Sequence, residues 1–230
     1  MIRGGGKLKY YTWEHSQRVK ERYTRRCRLE EEEMTCAAQA AELLAPLVEP
    51  GDTVLDVGCG SGYFYHSLRK RNIPVEYWGI DAAPGLIAIG RREMPAFGLP
   101  AERLLVMEID DLDGEADHVV CLNVLSNLDN YHRPLERILK VARKSAILRE
   151  SCKEEASYLY VKDEYLDPGV DLKVHVNAYP LREWLEFIAS YGFQVEVITD
   201  RRTGGEPEMV IGYPHWWTFF RAVRRRAERG

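Results

Sequence analysis

Apolar residues in this chain come as short continuous runs, divided by segments whose apolar positions recur every three or four residues. The runs at Val54 to Val57, Val75 to Ile80, Leu104 to Met107, Val119 to Leu122 and Ala146 to Leu148 are too short for helices and lack strict alternation. They read as strands covered on both faces. Between them the spacing predicts a helix opening at Ser61, one from Pro84 through Met94 and one from Arg133 to Ala142. Strands alternating with helices in this way build a doubly wound, mostly parallel sheet of the α/β class. Pro180 to Tyr191 places Leu181, Trp184, Leu185 and Ile188 on one helical face and stops at Gly192. Phe193 to Ile198 then reads as a strand, and Trp217 to Val223 is favoured for the last one, beyond Pro214.

The two remaining segments lie outside this alternation. His15 to Val48 predicts a mainly helical stretch, with Met34, Ala37, Ala41, Leu44 and Val48 at helical spacing, ended by Pro50-Gly51-Asp52. Together with the aromatic stretch Leu8 to Trp13 it is expected to form a helical lid over residues 1–50, ahead of a main domain at 51–230. Residues 151–179 interrupt the pattern after the fifth strand; they are rich in tyrosine and acids and broken by Asp167-Pro168-Gly169. That insertion is a candidate substrate cap.

Composition narrows the partners. A formal charge of −4 over 230 residues argues against a general nucleic-acid binder, and the basic runs at 18–28 and 221–229 read first as solvated helix faces. No apolar stretch approaches the roughly 18 residues of a membrane span, and the start carries no signal core, so a cytoplasmic protein is expected. The five cysteines include no Cys-x-x-Cys pair and are odd in number, which points to reduced thiols. No tight cluster of acids and amides has ligand spacing, so no metal is expected. Oligomeric state is left open.

The chemistry concentrates after the first strand. Gly58, Gly60 and Gly62 are spaced two apart, and Asp81 follows Gly62 by 19 residues at the end of the second strand. Glycines there let the backbone turn sharply and approach a ligand, and parallel strands deliver their carboxyl ends to one edge, so loop and carboxylate arrive side by side. A dinucleotide fingerprint would place its third glycine one residue further on, so a nicotinamide oxidoreductase is disfavoured. No Tyr-x-x-x-Lys hydride-transfer set accompanies it either.

From Thr53 to Ser151 the chain resembles the class I S-adenosylmethionine-dependent methyltransferases. Asp56 stands two residues before Gly58, as the acid of the family's first motif does; Asp81 resembles its ribose-binding acid. Ile109-Asp110-Asp111-Leu112 resembles the adenine-contacting segment, and Asp117 to Leu128 its fourth strand and following loop. The resemblance implies S-adenosylmethionine as cofactor, S-adenosylhomocysteine as product, and methyl transfer to an oxygen or nitrogen of a small-molecule acceptor. It also implies a seven-stranded sheet whose last strand is antiparallel. Gly58, Cys59, Gly60, Gly62, Asn123 and Val124 would border the methionine end, with Asp56 organising the loop or receiving the amino group. Asp81 and Ala82 would border the ribose, with Asp110, Asp111 and Leu112 near the adenine and Ile87 on the ribose or adenine side. If the acceptor must lose a proton, His132 and His175 are the candidate bases, histidine being the side chain that titrates nearest neutrality. Tyr11, Trp13, Tyr63 and Tyr131 are candidate pocket walls. A catalytically silent protein that binds the same cofactor is the competing expectation.

Overall fold

Short runs of β-branched and aromatic residues set the strands, and glycine or proline ends each of the first two crossings. The computed structural model describes residues 12–225. Its helices are α1 Gln17–Cys27, α2 Thr35–Leu44, α3 Phe64–Lys70, α4 Pro84–Glu93, α5 His132–Val141 and α6 Leu181–Ser190. Its strands are β1 Thr53–Val57, β2 Glu76–Asp81, β3 Leu104–Val106, β4 Ala116–Leu122, β5 Ala142–Lys153, β6 Ser157–Lys162, β7 Lys173–Pro180, β8 Phe193–Thr199, β9 Glu208–Val210, β10 Tyr213–His215 and β11 Trp217–Arg224.

The main sheet runs β3-β2-β1-β4-β5-β11-β8. Its first five strands are parallel, while β11 lies antiparallel between β5 and β8. The expected seven-stranded path with an antiparallel last strand is therefore what the chain adopts. Strand order reverses between β1 and β4, and in an open α/β sheet the crevice outside the carboxyl ends at such a reversal is where ligands bind.

Side chains of β1 show how the layers divide. Val54 joins Leu44, Phe64 and Leu86 under α2, α3 and α4, whereas Val57 joins Leu135, Ile138 and Trp184 under α5 and α6. Both faces of the strand are thus covered, as the continuous apolar run requires.

Three expectations from the sequence need correcting. The N-terminal helical stretch is two helices, because Leu29 takes φ +58° and the acids that follow are not helical. The helix after β1 begins at Phe64 rather than Ser61, since Gly62 is left-handed with φ +77°. The fifth strand spans Ala142–Lys153, far longer than Ala146 to Leu148, because its polar residues Arg149, Glu150 and Ser151 are buried.

The insertion is a β-hairpin. β6 pairs antiparallel with β7, and β7 continues beside β5 through Cys152–Tyr179 and Lys153–Pro180. It thereby extends the sheet past the carboxyl end of β5. Among the described residues no helix is long and apolar enough to cross a membrane.

Candidate active site

At the end of β1 the chain turns through Gly58, Gly60 and Gly62, with φ of +74°, +58° and +77°. Side chains are excluded there by contact as well as by conformation. A Cβ at position 58 would lie 2.3 Å from Val124 Cγ2, and one at position 60 would lie 2.1 Å from Tyr23 Cε1. Four of the loop's amides are already engaged: Gly58 and Cys59 both donate to Ile80 O at 2.8 and 3.0 Å, Gly60 donates to Asp81 Oδ2 at 2.8 Å, and Gly62 donates to Cys59 O at 2.9 Å. A phosphate cradle needs such N–H groups free. These four are not.

Asp81 completes the pairing of loop and second strand. Its Oδ1 accepts from Ala83 N at 2.8 Å and its Oδ2 from Gly60 N. One donor on each oxygen leaves lone pairs on both, the arrangement that grips two vicinal hydroxyls. Burial pushes the carboxyl pKa up, the two N–H bonds oppose that shift, and the Glu14 charge adds to it. Ala82 is half-buried beside it.

Asp56 is 4% exposed and accepts from the Tyr77 hydroxyl at 2.6 Å. Burial, opposed by the Tyr77 bond and reinforced by Asp81, brings its pKa up to about 7.

The residues expected around the adenine divide. Asp110 and Asp111 lie exposed on a single 3-10 turn, Ile109–Asp111, with Asp110 Oδ2 3.7 Å from Arg133 Nη1. Leu112 is buried in the layer that holds Val57. Ile87 is wholly buried on α4 against the other layer.

Beyond β4, Asn123 takes φ +61° and its loop is held by the end of β5. Arg149 donates to Asn123 Oδ1, and Asn123 N donates to Arg149 O at 2.8 Å. Glu150, wholly buried, accepts from the amides of Val124, Leu125 and Ser126, each at 2.9 Å. Arg149 is itself paired with Asp200 at 2.7 Å and stacked 4.5 Å from the Trp217 ring. On the other side the Tyr179 hydroxyl donates to Leu125 O at 2.6 Å and Asn177 Nδ2 to Leu128 O at 2.7 Å. Sequence reasoning missed Glu150 and Arg149. The available signal was two adjacent charged residues continuing the apolar run Ala146 to Leu148, which only burial turns into a clamp.

The N-terminal segment covers this edge. Tyr23 of α1 lies on Gly60, with its ring 5.6 Å from Tyr63 at 77° and Arg26 stacked over both. The Tyr63 hydroxyl donates to Met34 Sδ at 3.1 Å. Glu14 accepts from Gly85 N at the start of α4, and Trp13 packs against the layer beneath. Tyr11 lies outside the described residues.

The structure separates the other candidates. Tyr131 is 2% exposed, packed 4.6 Å from Tyr179 and 5.0 Å from Trp184. His132 is exposed at the start of α5, its Nδ1 3.0 Å from Asn130 Oδ1. His175 faces Tyr160 across the hairpin at 4.6 Å. Among the described residues no group of three or more histidines, cysteines or acids is placed to hold a metal ion.

Residues 55–148 match the family described as Methyltransferase domain. That stretch of the chain carries a methyltransferase domain, with the fold of the class I S-adenosylmethionine-dependent family. S-adenosylmethionine is the cofactor of that family. Malonyl-[acyl-carrier protein] O-methyltransferase of Serratia marcescens is 27% identical over 179 residues, which cover 76% of this chain and 63% of that one. The chloroplastic magnesium protoporphyrin IX methyltransferase of Arabidopsis thaliana is 40% identical over 79 residues, covering 33% and 24%. The chain therefore spans 63% of the first relative's own length and 24% of the second's. Among solved structures, magnesium protoporphyrin IX methyltransferase from Synechocystis with bound S-adenosylhomocysteine aligns with TM-score 0.62 at 15% identity, covering 93% of this chain and 98% of that one. A sugar N-methyltransferase from Streptoalloteichus aligns with TM-score 0.63 at 15% identity, covering 98% and 99%. These two likenesses concern the fold.

Proposed function

We propose that the protein transfers a methyl group from S-adenosylmethionine to an oxygen or nitrogen of a small-molecule acceptor. The observation that carries this reading lies at the glycine loop: the amides of Gly58, Cys59, Gly60 and Gly62 are satisfied within the protein while Asp81 keeps lone pairs on both oxygens, which fits a donor held through its ribose. The left-handed glycines supply the close backbone approach that such a donor requires.

Asp81 would hold the ribose, Asp56 the amino group through the loop it underlies, and the segment around Asp110 the adenine. The donor supplies an electrophilic methyl carbon. The protein's own part is to hold the acceptor in line with it and to exclude water, an orientation effect that can lower a barrier by roughly 7 to 11 kcal/mol. The loop after β4, clamped by Glu150, Arg149 and Tyr179, and the β6–β7 hairpin would form the acceptor side. Proton removal is assigned to His132 or His175, and substitution of each to alanine should separate them, since losing a general base typically costs about 10² to 10⁴ in rate.

The named relatives methylate oxygen in one case and nitrogen in another, so the acceptor atom is the point to test. Purified protein incubated with methyl-labelled S-adenosylmethionine and fractionated metabolite pools should label a small molecule. Labelling that requires nucleic acid, or none from any pool together with tight cofactor binding, would contradict the reading.

A further inference from the structure

Helix α1 is fastened at two places that belong to different halves of the site. Its N-terminus is held by the tip of the β6–β7 hairpin. Asp167, 150 residues away in sequence, accepts from Gln17 N through both carboxylate oxygens, at 2.9 and 3.1 Å. Asp167 N returns a bond to His15 O at 2.9 Å, and Ser16 Oγ donates to Tyr165 O at 2.6 Å. The Arg18 guanidinium lies 5.2 Å from the Tyr165 ring centroid.

The far end of the same helix lies on the glycine loop. Tyr23 rests against Gly60, and Cys27 Sγ donates to Ser61 Oγ at 3.0 Å. His66 Nε2 donates to Cys27 O at 2.8 Å. An 11-residue helix is about 16 Å long and moves as a rod. A tether at one end therefore fixes where the other end sits.

We propose that Asp167 is a positioning residue for the cofactor side: the acceptor cap, through its carboxylate on the α1 N-terminus, sets the placement of Tyr23 over the glycine loop. The inference rests on the cofactor reading above. It couples the two halves of the site. Whatever orders the hairpin tip tightens cofactor binding, and by reciprocity cofactor binding orders the hairpin tip. Asp167 would touch neither ligand.

The test uses S-adenosylhomocysteine as probe, titrated calorimetrically into the parent protein, Asp167→Ala and Asp167→Asn. Asparagine keeps an oxygen that can accept from Gln17 N; alanine does not. Ser16 caps α1 through Val19 N in all three proteins, so the helix stays formed; the alanine variant should bind at least about threefold more weakly, and the asparagine variant within about twofold of the parent. Hydrogen exchange should show that the probe protects the amides of residues 163–170 in the parent. In ligand-free protein, trypsin should cut at Lys20, Arg22 and Arg25 faster in Asp167→Ala than in Asp167→Asn. Equal affinity and equal cleavage across the three proteins would overturn the proposal. Failure of the parent to bind the probe, with the cleavage difference intact, would instead refute the cofactor reading and leave the tether standing.

Discussion

Replacing Gly60 by alanine should be among the most damaging single-methyl changes in this protein, and the damage should depend on a residue 37 positions upstream. Two costs are separable. Holding a residue with a Cβ at φ +58° costs about 1 to 2 kcal/mol. The added Cβ also falls 2.1 Å from Tyr23 Cε1 and 2.9 Å from Cδ1, so the ring must leave the loop. Displacing it forfeits an edge-on contact with Tyr63, of a kind worth about 0.5 to 1.5 kcal/mol, together with the packing on Gly60. The sum is roughly 2 to 4 kcal/mol, or a fall in Tm of roughly 4 to 16 °C for a chain of this size. In a Tyr23→Ala background only the backbone cost should remain. The assay is thermal and urea unfolding of Gly60→Ala, Tyr23→Ala and the double variant, with Gly114→Ala as control because that glycine has φ +95° and open space around it. The cycle should give a coupling of about 1 to 2 kcal/mol. Additive effects, or a Gly60→Ala variant no worse than Gly114→Ala, would refute the placement of Tyr23 on the loop.

Other consequences follow from the buried carboxyls. Asp56, with its pKa near 7, must ionise to receive a cation; cofactor binding at pH 6 should therefore release a proton, and affinity should rise as the pH climbs through about 7. Calorimetry in buffers of different ionisation enthalpy would detect this, and the effect should vanish in Asp56→Asn. Glu150→Ala should destabilise by several kcal/mol, since it leaves three buried N–H groups without their acceptor at about 1 to 3 kcal/mol each before relaxation; denaturant unfolding checks it. At the opposite edge of the sheet, burial disfavours the Asp52 charge, but bonds from Lys144 at 2.6 Å, Glu49 N and His118 Nε2 outweigh it and bring its pKa down to about 2. A carboxyl lowered in this way contributes stability that is full above its ordinary value of 3.8 and is lost as the pH falls through about 2. That contribution is about 2 kcal/mol, and acid unfolding of Lys144→Met should show most of it gone.

The first strand, its glycine loop and the second strand were legible because their signals are local. Val54 to Gly62 and Asp81 announce strand, loop and acid by composition and spacing alone, and Pro84 marks the start of α4 where the structure places it. Trp217 begins the last strand, as the apolar run beyond Pro214 suggested. What escaped was long-range. Arg149 and Glu150 look like the solvated end of a strand until Asp200, Trp217 and the amides after β4 are brought to them by folding. The tyrosine-rich insertion looks like a cap, and on the edge strand β6 Tyr158 and Tyr160 are each 58% exposed, but β7 buries Val174, Val176 and Tyr179. Tyr131 looks like a pocket wall by its position after the loop, yet it packs among Tyr179, Trp184 and Phe187, a destination that nothing nearby in sequence encodes.

The central claim is that the edge formed by Gly58, Gly60 and Asp81 takes S-adenosylmethionine through its ribose, and titration of S-adenosylhomocysteine into the parent and Asp81→Ala tests it most directly. The carboxylate would accept from two ribose hydroxyls, each hydrogen bond to a charged group being worth about 1.5 to 3 kcal/mol. Saturable binding at one site per chain is expected, weakened at least about tenfold by the substitution, while NAD produces no heat. Equal affinity in the two proteins, or preferential binding of NAD, would contradict it.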